Sequence, residues 1–172
     1  MEDDKCLKGP IVLIGYMGSG KSTVARIISE KTDYEKYDTD EEIVKAYGPI
    51  TDIFSMYGEK RFREIETEIL IEALKSEKRI IATGGGVVVS EKNREILKES
   101  KATVVFLSSD LEFLWSRIKN SKKRPLASNK EEFFKRFEAR KEIYPLACDI
   151  EVNLAGRTSE EVANELMEIL DL

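Results

Sequence analysis

The sequence predicts an α/β fold: a three-layer α/β/α arrangement, with helices on both faces of a parallel sheet. Two observations carry this. Short runs rich in β-branched residues alternate five times with stretches of helical apolar spacing, and strands linked by helical crossovers build parallel sheets. The first run, Ile11-Val12-Leu13-Ile14, leads directly into Gly15-Tyr16-Met17-Gly18-Ser19-Gly20-Lys21-Ser22. That stretch is a glycine, four free positions, then glycine, lysine and a hydroxyl residue, the pattern of a phosphate-binding loop. Val24, Ile27 and Ile28 then take helical spacing, so the loop joins a strand to a helix, as such a loop requires.

The remaining elements follow in order. Residues 34–37 read as the second strand, ending in Asp38-Thr39-Asp40, and 41–47 as a short helix with Asp40 as its N-cap. Gly48-Pro49 breaks the chain before a second short helix over 51–57. A longer helix from 59 to about 75 buries Phe62, Ile65, Ile69 and Ala73. Residues 79–82 form a strand leading into Thr83-Gly84-Gly85-Gly86, and Ser90 caps a helix through 97. After a strand over 103–107, Ser109 and Glu112 form a capping box for the next helix. Residues 120–130 lose all periodicity. A helix over 131–144, a last strand over 150–153 and a helix capped by Thr158 and Glu161 complete the chain.

Composition narrows the function. The length fits one domain spanning residues 1–172. No apolar run approaches membrane-spanning length, and the start is not that of a signal peptide, so a cytoplasmic protein without membrane contact is expected. A net charge of −5 argues against a nucleic-acid coat. Cys6 and Cys148 are too few and too far apart for a metal or disulfide framework. The absence of histidine removes histidine bases, histidine metal ligands and histidine-dependent triads.

The loop's backbone N–H groups and the helix N-terminus offer partial positive charge to a nucleotide phosphate. Lys21 reaches the β- and γ-phosphates, and the Ser22 hydroxyl completes a magnesium shell. Neither later strand ends in a metal-binding aspartate of the common kind, so Asp38 is the candidate for the metal's outer shell. Asp40 is the candidate to meet a substrate hydroxyl, and the alternating spacing of an extended strand is expected to point the two carboxylates in different directions, which suits two roles. Equally, Asp40 as a cap and Asp38 as a turn residue would explain both. Thr83-Gly84-Gly85-Gly86 is either a place where a ligand touches bare backbone or a flexible turn. Arg63 alone reads as a surface arginine paired with Glu66 or Glu59. Arg140 shares a helical face with Phe133, Phe137 and Tyr144, so it needs an anionic ligand or an internal acid. Lys119, Lys122, Lys123, Arg124 and Lys130 are either a solvated run or a basic lid that brings Arg124 to a transferring phosphoryl group. Arg117 is placed to stack on an adenine ring.

Taken together, Gly15 through Thr23, Asp38-Thr39-Asp40, Gly58-Glu59 with Phe62-Arg63 and Glu66, Thr83 through Gly86, Arg124-Pro125-Leu126, and Arg140 with Tyr144 closely resemble the shikimate kinases of the phosphate-loop type. The resemblance implies a five-stranded parallel sheet in the order 2-3-1-4-5. It also implies a substrate-binding region over about 39–66 and a lid over about 119–130. The implied activity is transfer of the ATP γ-phosphoryl group to the 3-hydroxyl of shikimate, with Mg2+, by a monomer. The implied ATP site is Gly18, Ser19, Gly20, Lys21, Ser22, Thr23, Arg117, Arg124 and Arg157. The implied shikimate site is Asp40, Arg63, Gly85, Gly86 and Arg140, with Lys21, Asp40 and Arg124 catalytic. Ser22 would hold the metal directly and Asp38 through water. One departure stands out: after Arg140 the family usually has a proline before a leucine and tyrosine, and this chain has Lys141-Glu142-Ile143-Tyr144. A kinase for gluconate or a nucleoside monophosphate, and a nucleotide-binding regulator without turnover, are the competing readings.

Overall fold

The computed structural model describes residues 9–121 and 129–172. Its centre is β1 (Ile11–Ile14), in which every residue is fully buried. A strand covered on both faces has no use for polar alternation, which is why its sequence is continuously apolar. β1 pairs in parallel with β3 (Arg79–Ala82) on one side and β4 (Thr103–Ser108) on the other. β2 (Glu35–Asp38) joins β3 and β5 (Ile150–Asn153) joins β4, both parallel. The order β2-β3-β1-β4-β5 agrees with the order the resemblance implied. The two edge strands carry exposed residues while the three inner strands are largely buried, following their positions in the sheet.

The connecting helices are α1 (Lys21–Lys31), α2 (Thr39–Tyr47), α3 (Ile50–Ala73), α4 (Glu91–Glu99), α5 (Leu111–Ile118), α6 (Lys130–Arg140), α7 (Ile143–Leu146) and α8 (Ser159–Leu170). Ser90 caps α4 through its bond from the Asn93 N–H, and Thr158 with Glu161 forms the expected capping box on α8. Buried Val162, Ala163, Leu166 and Leu170 give α8 the apolar stripe that packs it on the sheet. Among the described residues no helix is long and apolar enough to cross a membrane.

Four local expectations are corrected. The cap of α2 is Asp38, whose Oδ1 accepts from the N–H groups of Asp40 (3.1 Å) and Glu41 (3.2 Å). The helix starts at Thr39, and Asp40 lies in its first turn. Asp110, not Ser109, caps α5, accepting from the Phe113 N–H at 2.8 Å. The two helices expected over 51–75 are joined as α3, with the break confined to Gly58 (φ 78°, ψ 174°), a backbone conformation that glycine adopts without steric cost. The helix expected over 131–144 stops at Arg140, and α7 begins at Ile143. Pro145 accounts for this: in one continuous helix it would lack an N–H for the Lys141 carbonyl and clash with it.

Candidate active site

The carboxyl ends of β1, β2 and β3 place the loop 15–20, Asp38 and residues 83–86 along one edge of the sheet, where ligands of such folds bind. The Lys21 side chain is folded over its own loop. Its Nζ donates to the carbonyls of Gly15 (2.7 Å) and Tyr16 (3.2 Å) and to Ser19 Oγ (3.2 Å). These are weak neutral partners for an ammonium, and phosphate oxygens would replace them with charge-assisted bonds. Tyr16 anchors the loop from behind. Its ring lies against Phe133 and Phe137, and its hydroxyl donates to the Phe133 carbonyl at 2.9 Å. Burial raises the Tyr16 pKa to about 12, so this phenol remains a donor.

Ser22, exposed at the second position of α1, donates from its hydroxyl to Asp38 Oδ2. Asp38 therefore holds the loop's hydroxyl with one oxygen and caps α2 with the other. It thus takes the capping role expected of Asp40, with its other oxygen on the Ser22 hydroxyl. Asp38 and Asp40 do diverge, but not through strand alternation, which would put residues two apart on the same face. The change from strand to helix at Thr39 separates them.

The glycine run is packed between side chains of α2 and α3 and the phosphate loop. A Cβ at Gly84 would lie 2.9 Å from Asp40 Oδ1 and 3.2 Å from Glu66 Oε2, and one at Gly86 only 2.5 Å from Arg63 Nη1. Gly85 faces the phosphate loop, its Cβ position being 3.5 Å from the Met17 nitrogen. Gly84 and Gly86 thus let side chains from α2 and α3 approach the backbone closely, while Gly85 lies in ordinary contact with the phosphate loop. Thr39 secures the arrangement, its Oγ1 accepting from the Gly84 N–H at 3.1 Å.

Arg63 pairs with Glu66 at 2.8 Å and with Glu59 at 3.5 Å, as the pattern alone suggested. Glu66 is 1% exposed, so this is no surface pair. Burial pushes the Glu66 carboxyl above its ordinary range; Arg63 opposes the shift, Asp40 adds to it, and Arg140 opposes it more weakly. Arg140 lies over the Tyr16 ring, 5.9 Å from its centroid. Both guanidiniums act on the Glu66 carboxyl and on the Tyr144 phenol, which brings α3 and the end of α6 to one cleft. With Asp40 nearby, the cleft holds two arginines, two carboxylates and bare glycine backbone beside a phosphate loop.

The shikimate kinase family model matches residues 17–171. The chain belongs to the shikimate kinase family. A shikimate kinase from Caldicellulosiruptor bescii is 39% identical over 163 residues, covering 92% of this chain and 94% of that one. Among solved structures, shikimate kinase from Acinetobacter baumannii in complex with shikimate is similar with a TM-score of 0.86 and 33% identity, over 95% of this chain and 93% of that chain. The Aquifex aeolicus shikimate kinase gives 0.80 and 38%, over 94% and 96%.

Other residues singled out in the sequence lie around this centre. Arg117, near the end of α5, sits beside Gly20, with Nη2 3.4 Å from Ser159 Oγ and its Cζ 5.5 Å from the Phe113 ring centroid. Arg157 pairs with Glu165 and donates to the Asn153 carbonyl at 2.6 Å, so its charge is committed to the β5–α8 connection. Arg124, Lys122 and Lys123, and with them most of the expected lid, lie outside the described residues. Sequence reasoning gave no role to Thr39, Ser159 or the Tyr144 hydroxyl. Thr39 was visible only as the middle of Asp-x-Asp, and Ser159 only as the start of a helix.

Proposed function

We propose that this shikimate kinase family member transfers the γ-phosphoryl group of ATP to the 3-hydroxyl of shikimate, giving ADP and shikimate 3-phosphate. The observation that carries the reading is the convergence of Asp40, Arg63 and Glu66 on Gly84 and Gly86, directly beside the loop of Lys21. A phosphate loop alone needs only a nucleotide. Two arginines and a hydroxyl-seeking carboxylate across the cleft ask for a small carboxylated alcohol.

In this reading Gly18, Ser19, Gly20, Lys21, Ser22 and Thr23 hold the phosphates, Arg117 borders the adenine, and the 155–157 turn lies on the same side. Arg63 and Arg140 take the shikimate carboxylate, with backbone N–H groups of Gly85 and Gly86 alongside. Asp40 accepts a hydrogen bond from the 3-hydroxyl and is placed to take its proton as the oxygen attacks phosphorus. The bond from the γ-phosphorus to the bridging oxygen breaks, and the electron pair leaves with ADP. Lys21 follows the charge developing on the phosphoryl oxygens, a task the resemblance also assigns to Arg124. Positioning and fixed charge supply most of the rate in such transfers, so a chain without histidine is well suited.

The nucleotide-associated metal fits the donor set. Ser22 Oγ and Asp38 supply hard oxygens, which suit Mg2+. Among the described residues no group of three acidic, histidine or cysteine side chains is poised to hold a metal, so phosphate oxygens and water would complete the shell. Mg2+ would neutralise phosphate charge. Ser22 would bind it directly and Asp38 through water. The region 39–66 has an apolar cluster of its own, Ile43, Ile53, Phe62 and Ile65, which supports treating it as a distinct substrate-binding part within one domain.

An acceptor panel with purified protein and Mg-ATP tests the reading. ADP release should rise with shikimate and stay at background with gluconate or AMP. Phosphorylation of either of those but not shikimate would replace the proposed acceptor, and ATP binding with no acceptor turned over would favour a regulator.

A further inference from the structure

Asn93, in the first turn of α4, is 0% exposed, and its side-chain amide reaches two other elements. Nδ2 donates to the Val87 carbonyl at 3.0 Å, and Oδ1 accepts from the Thr67 hydroxyl of α3 at 2.7 Å. A carbonyl can only accept, so the amide nitrogen must face Val87 and the amide oxygen must face Thr67. The amide oxygen in turn needs the hydrogen of the Thr67 hydroxyl, so each contact fixes the next.

Both ends of this bridge adjoin the acceptor cleft. Thr67 lies one turn after Arg63, and its Oγ1 is also 3.0 Å from the Arg63 carbonyl. Val87 follows Gly86 and opens the short 3-10 turn Val87–Val89. That turn is tied back to the glycine run: the Val87 N–H donates to the Gly84 carbonyl at 3.1 Å, and the Val89 N–H to the Gly86 carbonyl at 3.0 Å. α4 braces the same turn through Arg94, whose Nη1 donates to the Val88 and Val89 carbonyls at 2.6 and 3.1 Å.

We propose that Asn93 is a positioning residue of the acceptor site, its buried amide setting the spacing between Arg63 and the Gly86 backbone. This inference rests on the shikimate reading of the cleft. Arg63 sits where a Cβ on Gly86 would come within 2.5 Å of it, so small changes in that spacing reach the guanidinium. A buried amide bonded at both ends specifies one arrangement of the elements it joins. Asn93 acts through Arg63 and the glycine run and takes no part in the phosphoryl transfer itself.

Thr67→Val removes the hydroxyl at nearly constant shape, and Thr67→Ser keeps it. Arg63 holds the carboxylate in both ground and transition states, so its displacement should raise KM more than it lowers kcat. Thr67→Val should raise shikimate KM about three- to tenfold, the equivalent of one hydrogen bond, with ATP KM within about twofold of wild type. Thr67→Ser should bring shikimate KM back close to the wild-type value. Kinetics are read well below the Tm of each variant, so a loss of stability alone moves neither KM. Asn93→Ala completes a double-mutant cycle: once the amide is gone, Thr67→Val should change shikimate KM little further. Thr67→Val and Thr67→Ser carry the test by themselves if Asn93→Ala does not fold. An unchanged shikimate KM in Thr67→Val, an equal rise in ATP KM, a Thr67→Ser variant as impaired as Thr67→Val, or additive effects in the cycle would overturn the proposal. Wild-type protein inactive on shikimate would strike the acceptor assignment as well, which tells the two failures apart.

Discussion

Gly86→Ala tests the acceptor site through a single methyl group. The backbone at Gly86 (φ −98°, ψ 1°) is open to alanine, so the substitution introduces no conformational strain of its own. The new Cβ would lie 2.5 Å from Arg63 Nη1 and 2.8 Å from Nη2, where an ordinary contact needs about 3.5 Å. The guanidinium must therefore retreat by roughly 1 Å, a displacement able to cost about a hundredfold in a positioned site. Counted as loss of a charge-assisted hydrogen bond worth about 1.5–3 kcal/mol, the expected fall in kcat/KM for shikimate is roughly 10- to 150-fold. Arg63 ends in a flexible side chain, so the fold should absorb the shift, with Tm lower by no more than about 4 °C, the equivalent of about 1 kcal/mol. The assay is coupled ADP release at saturating ATP over a range of shikimate, with a thermal melt beside it. An acceptor kcat/KM within about threefold of wild type would refute the placement of Arg63 on the substrate.

Three further outcomes are expected. Asp40→Asn should lower turnover about 10²- to 10⁴-fold, the usual range for removing a general base, while leaving ATP affinity intact; near-normal kcat would remove Asp40 from the chemistry. Arg117→Ala should raise ATP KM by about two- to fivefold, from loss of a cation–π contact of about 0.5–1 kcal/mol, and an unchanged value would take Arg117 away from the adenine. Glu66→Gln should expose a pH dependence. Burial raises the Glu66 pKa in the folded protein above the ordinary glutamate range, so the folded state holds this proton more tightly than the unfolded chain. Its favourable contribution is present at low pH and lost as pH rises through the folded pKa. The Tm of wild type minus that of Glu66→Gln should therefore fall as pH rises from about 4.5 towards neutrality. A difference independent of pH, or one that grows, would contradict the raised pKa.

Much of this architecture was legible in the sequence because each strand announces itself. Ile11–Ile14 is apolar throughout and sits between two other strands, whereas residues 34–37 are mixed because they lead into an edge strand. Helix ends were less legible where two candidate caps stood side by side. Asp38 and Asp40 compete for one helix, and Ser109 and Asp110 for another; which of them caps depends on where the strand releases the chain. The pairing of Arg63 with Glu66 was visible as an i, i+3 spacing, but its burial was not. Glu66 lies against Gly84 and Arg63 against Gly86, both remote in sequence and brought close by β3. The convergence of Arg63 and Arg140 was likewise hidden, because it depends on the sheet and on the break before Tyr144. No local pattern records that the Tyr144 hydroxyl would meet Gly85.

The central claim is that the loop of Lys21 delivers phosphate to a hydroxyl held by Asp40 and the two arginines. Product analysis after incubation with Mg-ATP and shikimate tests it most directly, with ADP counted and the site of phosphorylation assigned by phosphorus–proton NMR. ADP and shikimate 3-phosphate should appear in equal amounts. ADP release unaffected by shikimate, or phosphate on another oxygen, would contradict it.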